Sequence, residues 1–416
     1  MTLLETTGVE TLENGLTLLF ERRAGPGFAL ELRLPVGAAH DGAGREGAAA
    51  LLEEWLHKGA GSLGARALAD AFDDLGLRRG GGVTHEDTRF TVSGLTADLK
   101  RALDLIADTV RRPQLPEDEL AVIADLARQD LEALADNPPE LLGAALRERV
   151  FAPPYAHPVG GTLRALEEMT PQDVRSVHDL YGPRGAVLAI IANVEEAEAR
   201  DLARGALGDW QGGGSVAPPP VFRGALCGHL PEDSAQTHLN LIFPGVGPAH
   251  PDWLSFHLAL GVLSGGSASR LFEAVREERG LAYSVGASVA TIGREGFAWA
   301  SAGSTPKRAQ ETLNVILAQF VGLQEGVTQG EFERARAGLL SATVFGAESA
   351  RGRAATLARD WALLSRVRAP GELRAELSGL TVADLNAFLR RFEFGAPAVM
   401  TLGPTPLRVG GASVSA

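Results

Sequence analysis

Arg276 and Tyr283 fall in the stretch S-R-L-F-E-A-V-R-E-E-R-G-L-A-Y-S, Ser269 to Ser284. A helix ending near Arg279-Gly280, followed by a strand, lets both side chains converge on one point across the turn. An arginine stays charged and presents several donors, and a tyrosine hydroxyl donates without bringing a competing negative charge. The ordinary alternative is that Arg276 pairs with a neighbour such as Glu273 while Tyr283 is a strand-facing core aromatic. Metal chemistry has less to work with. No two of the nine histidines are spaced i, i+4, so no helix offers the paired imidazoles of a zinc site. Glu53 and His57 are so spaced and read as a solvated surface pair. The single cysteine, Cys227 in G-A-L-C-G-H-L, permits neither a disulfide nor a thiolate cluster and sits in a poor context for a nucleophile. There is no G-x-S-x-G elbow. Gly80-Gly81-Gly82 and Ser264-Gly265-Gly266 could pass for anion-binding loops, but neither has a lysine, so each reads as a turn or a close backbone approach. His85 reads as a polar strand-end residue.

Composition narrows the partners. A net charge of -13 repels phosphate backbones, and no basic stripe overrides it, so nucleic acid is not an expected partner. Lysine occurs only at Lys58, Lys100 and Lys307, none of them in the G-K-S/T context of a nucleotide triphosphatase. No apolar run is long enough for a bilayer, and the start M-T-L-L-E-T-T-G has neither a basic nor a greasy segment, which points to a cytoplasmic protein without membrane contact.

The elements that must position these residues come in two matching sets. The N-terminal half reads strand (16–20), strand (28–34), helix (47–57), helix (65–75), strand (89–94), long helix (96–111), further helices and a closing strand (187–192). The C-terminal half repeats the order with a strand at 239–243, helices at 253–263 and 269–278, strands near Tyr283 and Phe297, and a long helix from Pro306. The repeat shows in letters too: L-A-D-A-F-D-D-L-G-L, Leu68 to Leu77, lies over L-F-E-A-V-R-E-E-R-G-L, Leu271 to Leu281. Each helix ends at a glycine suited to the left-handed C-terminal position. Between the halves, Q-G-G-G-S-V-A-P-P-P runs from a flexible glycine segment into a stiff proline one. The expected fold is α+β: two homologous domains, 1–210 and 221–416, joined by a linker at 211–220, each a mostly antiparallel sheet with helices packed on one face.

Three stretches together resemble the pitrilysin/insulinase family of zinc peptidases, in its branch related to the mitochondrial processing peptidase. They are R-E-G-A-A-A-L-L-E-E-W-L-H-K-G-A from Arg45, P-Y-A-H-P-V-G-G-T (Pro154 to Thr162) with Y-G-P-R-G-A-V-L-A-I-I-A-N-V (Tyr181 to Val194), and the Ser269 to Ser284 stretch. With the repeat, the resemblance covers nearly the whole chain. Catalytic members carry H-x-x-E-H just before a K-G turn. Aligned on Lys58-Gly59, those positions here are Ala50, Leu51, Leu52, Glu53 and Glu54, so both histidine ligands are absent. The later helix that should supply a glutamate ligand offers Asp130 near that place. An all-carboxylate set drawn from Glu53, Glu54 and Asp130, with His57 nearby, would suit calcium or magnesium better than zinc.

The resemblance implies that Arg276 and Tyr283 hold the substrate backbone and stabilise charge growing on the scissile carbonyl oxygen. It further implies a heterodimeric metalloendopeptidase in which a homologous H-x-x-E-H subunit supplies zinc and general base. This chain would need no cofactor of its own, and an extended peptide would be the substrate. A homodimer in isolation is a variant, and the alternative is a catalytically silent scaffold or peptide-binding homologue, similar to respiratory-complex core subunits.

Overall fold

The computed structural model describes residues 7–369, 371–409 and 412–413. Its two large sheets are built the same way. The first uses strands β1 (Thr7–Thr11), β2 (Thr17–Arg22), β3 (Gly27–Leu34), β4 (Arg78–Val83), β5 (Thr88–Leu95) and β6 (Val187–Ala192), in the order β1-β2-β6-β3-β5-β4. The second uses β7 (Cys227–Pro231), β8 (Thr237–Pro244), β9 (Ala282–Ile292), β10 (Glu295–Ser304) and β11 (Ala398–Gly403), in the order β7-β11-β8-β10-β9. Leaving out β1, the orders coincide, and in each sheet the first pair alone is parallel, β2 with β6 and β7 with β11. The remaining pairs are antiparallel.

The apolar patterning explains which faces are covered. Along β3, Phe28, Leu30, Leu32 and Leu34 enter one core with Leu52, Trp55, Leu68, Phe72 and Leu103 from the helices Ala48–Leu56, Ala65–Asp73 and Leu99–Arg111. The unbroken apolar run V-L-A-I-I-A of β6 is buried throughout because the sheet is covered on its other face as well. There Leu19, Ala29, Val187, Ala189 and Ile191 pack against Ala354, Leu357 and Ala358 of the helix Ala350–Leu364. Burying a leucine or isoleucine of this kind is worth about 1.5–3 kcal/mol, so this helix is part of the sheet's core. In the second sheet, Leu239, Leu241 and Phe243 face Phe256, Leu313, Phe320 and Phe388, while the helix Pro138–Val150 packs on β8 and β11.

Thus each sheet has a helical layer on one face, as the sequence predicts, and one further helix drawn from the opposite half of the sequence. The compact units are accordingly discontinuous: 1–133, 157–218 and 345–370 form one, and 134–156, 219–344 and 371–416 form the other. They do not follow a single cut at the 211–220 segment, because the chain passes between the units at 133/134, 156/157, 344/345 and 370/371 too.

One local expectation narrows and another changes. The triple glycine Gly80-Gly81-Gly82 is a close backbone approach and not a turn; it lies inside the edge strand β4, paired with β5, where a Cβ on Gly81 would stand 2.7 Å from the Arg89 carbonyl. The glycines of the 211–220 segment are not a free tether. Gly212, Gly213 and Gly214 all have positive φ, Gly214 N donates to the Arg184 carbonyl at 3.0 Å, and Arg184 Nε donates to the Gly212 carbonyl at 3.1 Å. No helix among the described residues is long and apolar enough to cross a membrane.

Candidate functional site

The helix Ala48–Leu56 carries Ala50 and Glu54, which the resemblance aligns with histidine ligands. Its start is fixed by Asp41, whose carboxylate accepts from Gly47 N at 2.8 Å and Ala49 N at 2.9 Å. Burial pushes the Asp41 carboxyl up to about 7 against those hydrogen bonds. Gly47 has φ of 102°, and a Cβ on it would stand 2.8 Å from the Gly160 carbonyl, so only glycine lets this helix meet the P-V-G-G loop. Leu51, Leu52, Trp55 and Leu56 point into the core. That leaves Ala50 half-buried with no lone pair to offer, Glu54 exposed, and Asp130 exposed on the helix Glu117–Ala133.

Glu53 departs from the solvated pair expected of it. It is buried, with Oε1 3.6 Å from His57 Nε2. The reason lies in β4: a Cβ on Gly81 would overlap Glu53 Oε1, so the missing side chain is the room that the carboxylate occupies. Glu53, Glu54, His57 and Lys58 line an open cleft of about 500 Å³ with Arg79 and Gly80. Among the described residues no three His, Cys, Asp or Glu side chains gather in a metal-holding group. With alanine at one histidine position and an exposed carboxylate at the other, this donor set does not fit a zinc centre. His85, expected at a strand end, is buried with Nε2 2.9 Å from the His157 carbonyl. Burial pushes the Cys227 thiol up, the opposite of what a thiolate nucleophile needs.

Arg276 and Tyr283 do converge, and each is placed by a one-residue irregularity. Gly76 follows Leu68 by eight positions, but Gly280 follows Leu271 by nine. The second helix absorbs the extra residue as a π-helical turn over Phe272–Glu277, with Glu278 N donating to Glu273 O at 2.9 Å. Such turns are rare and frequently fall at functional sites. The core anchors keep one spacing, Leu68 and Phe72 against Leu271 and Val275, so the surplus falls at Arg276 and beyond. Both helices end at the left-handed glycine that the sequence predicts, with φ of 61° at Gly76 and 57° at Gly280. Tyr283 then occupies a β-bulge: Ala282 pairs with Ser304 and Ser284 with Gly303, leaving Tyr283 between them. Bulges re-aim side chains, and Tyr283 is 84% exposed rather than in the core.

The Arg276 guanidinium carbon lies 4.9 Å from the Phe272 ring centre and 5.3 Å from that of Tyr283. Its Nη1 donates to the Tyr283 carbonyl at 3.5 Å, and its nearest carboxylate is Glu277 at 3.9 Å from Nε, not Glu273. Held by two aromatic faces, the guanidinium keeps most of its donor fork free for another acceptor. The signal for this in the sequence is the motif; the π-turn is readable only by counting residues between the repeats, and the bulge only from the strand pairing.

Residues 21–163 match the insulinase family, peptidase family M16, and residues 168–339 match the family described as the peptidase M16 inactive domain. An uncharacterized zinc protease of Mycobacterium leprae is 29% identical over 95% of this chain and 91% of its own length. One from Mycobacterium tuberculosis is 30% identical over 89% of this chain and 86% of its own. A solved peptidase M16 inactive domain from Pseudomonas fluorescens superposes with a TM-score of 0.88 at 25% identity, covering 97% of this chain and 99% of that one. A protease from Helicobacter pylori shares the fold, with a TM-score of 0.86 at 20% identity over 96% of this chain and all of its own. The duplicated sheet order and these likenesses along both halves establish that the chain belongs to the M16 (insulinase) peptidase family.

Proposed function

We propose that this chain is the non-zinc subunit of a heterodimeric metalloendopeptidase. The observation that carries the reading is the contrast between its two units: one has Ala50 and Glu54 where the resemblance expects imidazoles, while the other presents a guanidinium with free donors beside an exposed phenol at Arg276 and Tyr283. A homologous H-x-x-E-H partner would hold the zinc and supply the activated water. Arg276 would donate to the substrate backbone and to the scissile carbonyl oxygen as negative charge grows there. The Tyr283 hydroxyl, on the same side of the turn, would add a second donor. Donors fixed in advance need no reorganisation during reaction, and losing one such donor typically costs about 100-fold or more in rate. The substrate would be an extended peptide, bound as an added strand whose main-chain groups pair with a sheet edge.

Reconstitution tests this. Mixed with an H-x-x-E-H chain from the same genome, this chain should give peptidase activity on unfolded peptides that neither shows alone. If the partner cleaves as well without this chain as with it, the proposal fails, and the silent scaffold becomes the better account.

A further inference from the structure

Arg276 and Tyr283 flank the two-residue turn Gly280–Leu281, and every backbone polar group of that turn is engaged. Its amides reach back: Gly280 N donates to Arg276 O at 3.0 Å and Leu281 N to Val275 O at 2.8 Å. Its carbonyls reach forward. Gly280 O accepts from Arg308 Nη1, and Leu281 O accepts from Ser304 Oγ at 2.6 Å. Behind Ser304, the Thr312 hydroxyl lies 3.0 Å from Ser304 Oγ and 3.0 Å from the Arg308 carbonyl. Ser304 is buried and Thr312 fully so.

The first unit shows that the fold does not require this arrangement. Phe28 pairs with Gly94 one residue short of the end of β5 as Thr237 pairs with Ser304 at the end of β10, and four residues on Asp98 and Arg308 each stand at the N-cap position of the helix that follows. In that register Gly94, Asp98 and Ala102 stand where the second unit has Ser304, Arg308 and Thr312. There, no hydroxyl backs the turn; a Cβ on Gly94 would stand 2.5 Å from the Leu77 side chain, which fills the space. The polar brace occurs in the repeat that bears the arginine and tyrosine.

We infer that Ser304, Thr312 and Arg308 are positioning residues, a brace on the Gly280–Leu281 carbonyls that fixes the π-turn against the β-bulge and so aims Arg276 and Tyr283 together. If the carbonyl of the buried Leu281 loses the Ser304 donor, it must turn toward water or a new partner, while the carbonyl of the exposed Gly280 would lose its fixed Arg308 partner. The turn cannot rotate without moving both flanking side chains. The catalytic importance of that aim rests on the function proposed above; the brace itself does not.

The chain has three tyrosines, of which Tyr155 and Tyr181 are buried and Tyr283 is exposed. Replacing them with 3-fluorotyrosine gives three fluorine resonances. Tyr283→Phe assigns one, and Arg276→Ala marks where it falls when the guanidinium leaves the ring. Ser304→Ala and Thr312→Val should each move the Tyr283 resonance toward the Arg276→Ala position, and Thr312→Ser should restore it. Should the buried variants not fold, Arg308→Ala, at the surface, should give the same displacement. A Tyr283 resonance unmoved in folded Ser304→Ala, Thr312→Val or Arg308→Ala overturns the brace. In the reconstituted heterodimer, Ser304→Ala should lower kcat about tenfold or more with KM unchanged, since small misplacements of a donor are costly. A resonance that moves with no change in kcat upholds the brace and removes the catalytic reading of the pair.

Discussion

At the scale of single residues, an arginine is useful to a reaction only if its donors are not already spent on neighbours. Arg276 meets that condition because two rings, Phe272 and Tyr283, hold it in place of a carboxylate. The resemblance of the Ser269–Ser284 stretch to the peptidase family singled out the pair, and the glycine ending the helix marked the turn between them. Glu53 shows the opposite case. Its burial depends on Gly81, which lies far along the sequence on β4, and no local pattern links the two. The same residues make a prediction about metal: with Ala50 and Glu54 in place of imidazoles, the dialysed chain should hold far less than one zinc. Elemental analysis finding about one zinc per chain would contradict this, because retention at that level needs a complete ligand set.

At the scale of elements, the helices and most core strands were legible because apolar residues recur at the helical or strand period, as in β3. The strand β4 was not: R-R-G-G-G-V has poor strand propensity and is held by pairing with β5, a tertiary effect. The π-turn needed the first repeat as a ruler. Its start is anchored by Arg270, whose Nε donates to Glu331 Oε1 at 2.6 Å while its Nη1 and Nη2 reach the Gly322 and Gly326 carbonyls. Burial pushes the Glu331 carboxyl up, but hydrogen bonds from Arg270 and Thr328 outweigh it and hold it at about 2, below its ordinary 4.5. The folded state therefore binds that proton less readily than the unfolded chain. The stabilisation is complete above about pH 4.5 and is lost as pH falls toward about 2. Glu331→Gln should cost about 1.5–3 kcal/mol near neutrality, the worth of hydrogen bonds to a charged group. Urea unfolding of the two proteins should show that gap closing toward pH 2; a gap independent of pH would contradict it.

At the scale of the whole molecule, the duplication was legible because both halves keep one order of strands and helices. The helix exchange was not: Pro138–Val150 and Ala350–Leu364 look like ordinary amphipathic helices, and nothing local says which sheet each covers. A consequence follows for fragments. Residues 1–210 alone lack Ala354, Leu357 and Ala358, leaving Leu19, Ala29, Val187, Ala189 and Ile191 as an exposed apolar sheet face. That fragment should aggregate or bind a hydrophobic dye, and fusing 345–370 to it should suppress both; a well-behaved 1–210 would contradict the exchange. The division of labour between two chains is the central claim, and it is tested most directly by turnover in the reconstituted heterodimer with Arg276→Ala and Tyr283→Phe. Assembly should persist, since two side chains are a small part of a standard interface. Each substitution should lower kcat about 100-fold, whereas an assembled complex that cleaves peptides at the wild-type rate with both substitutions present would contradict the claim.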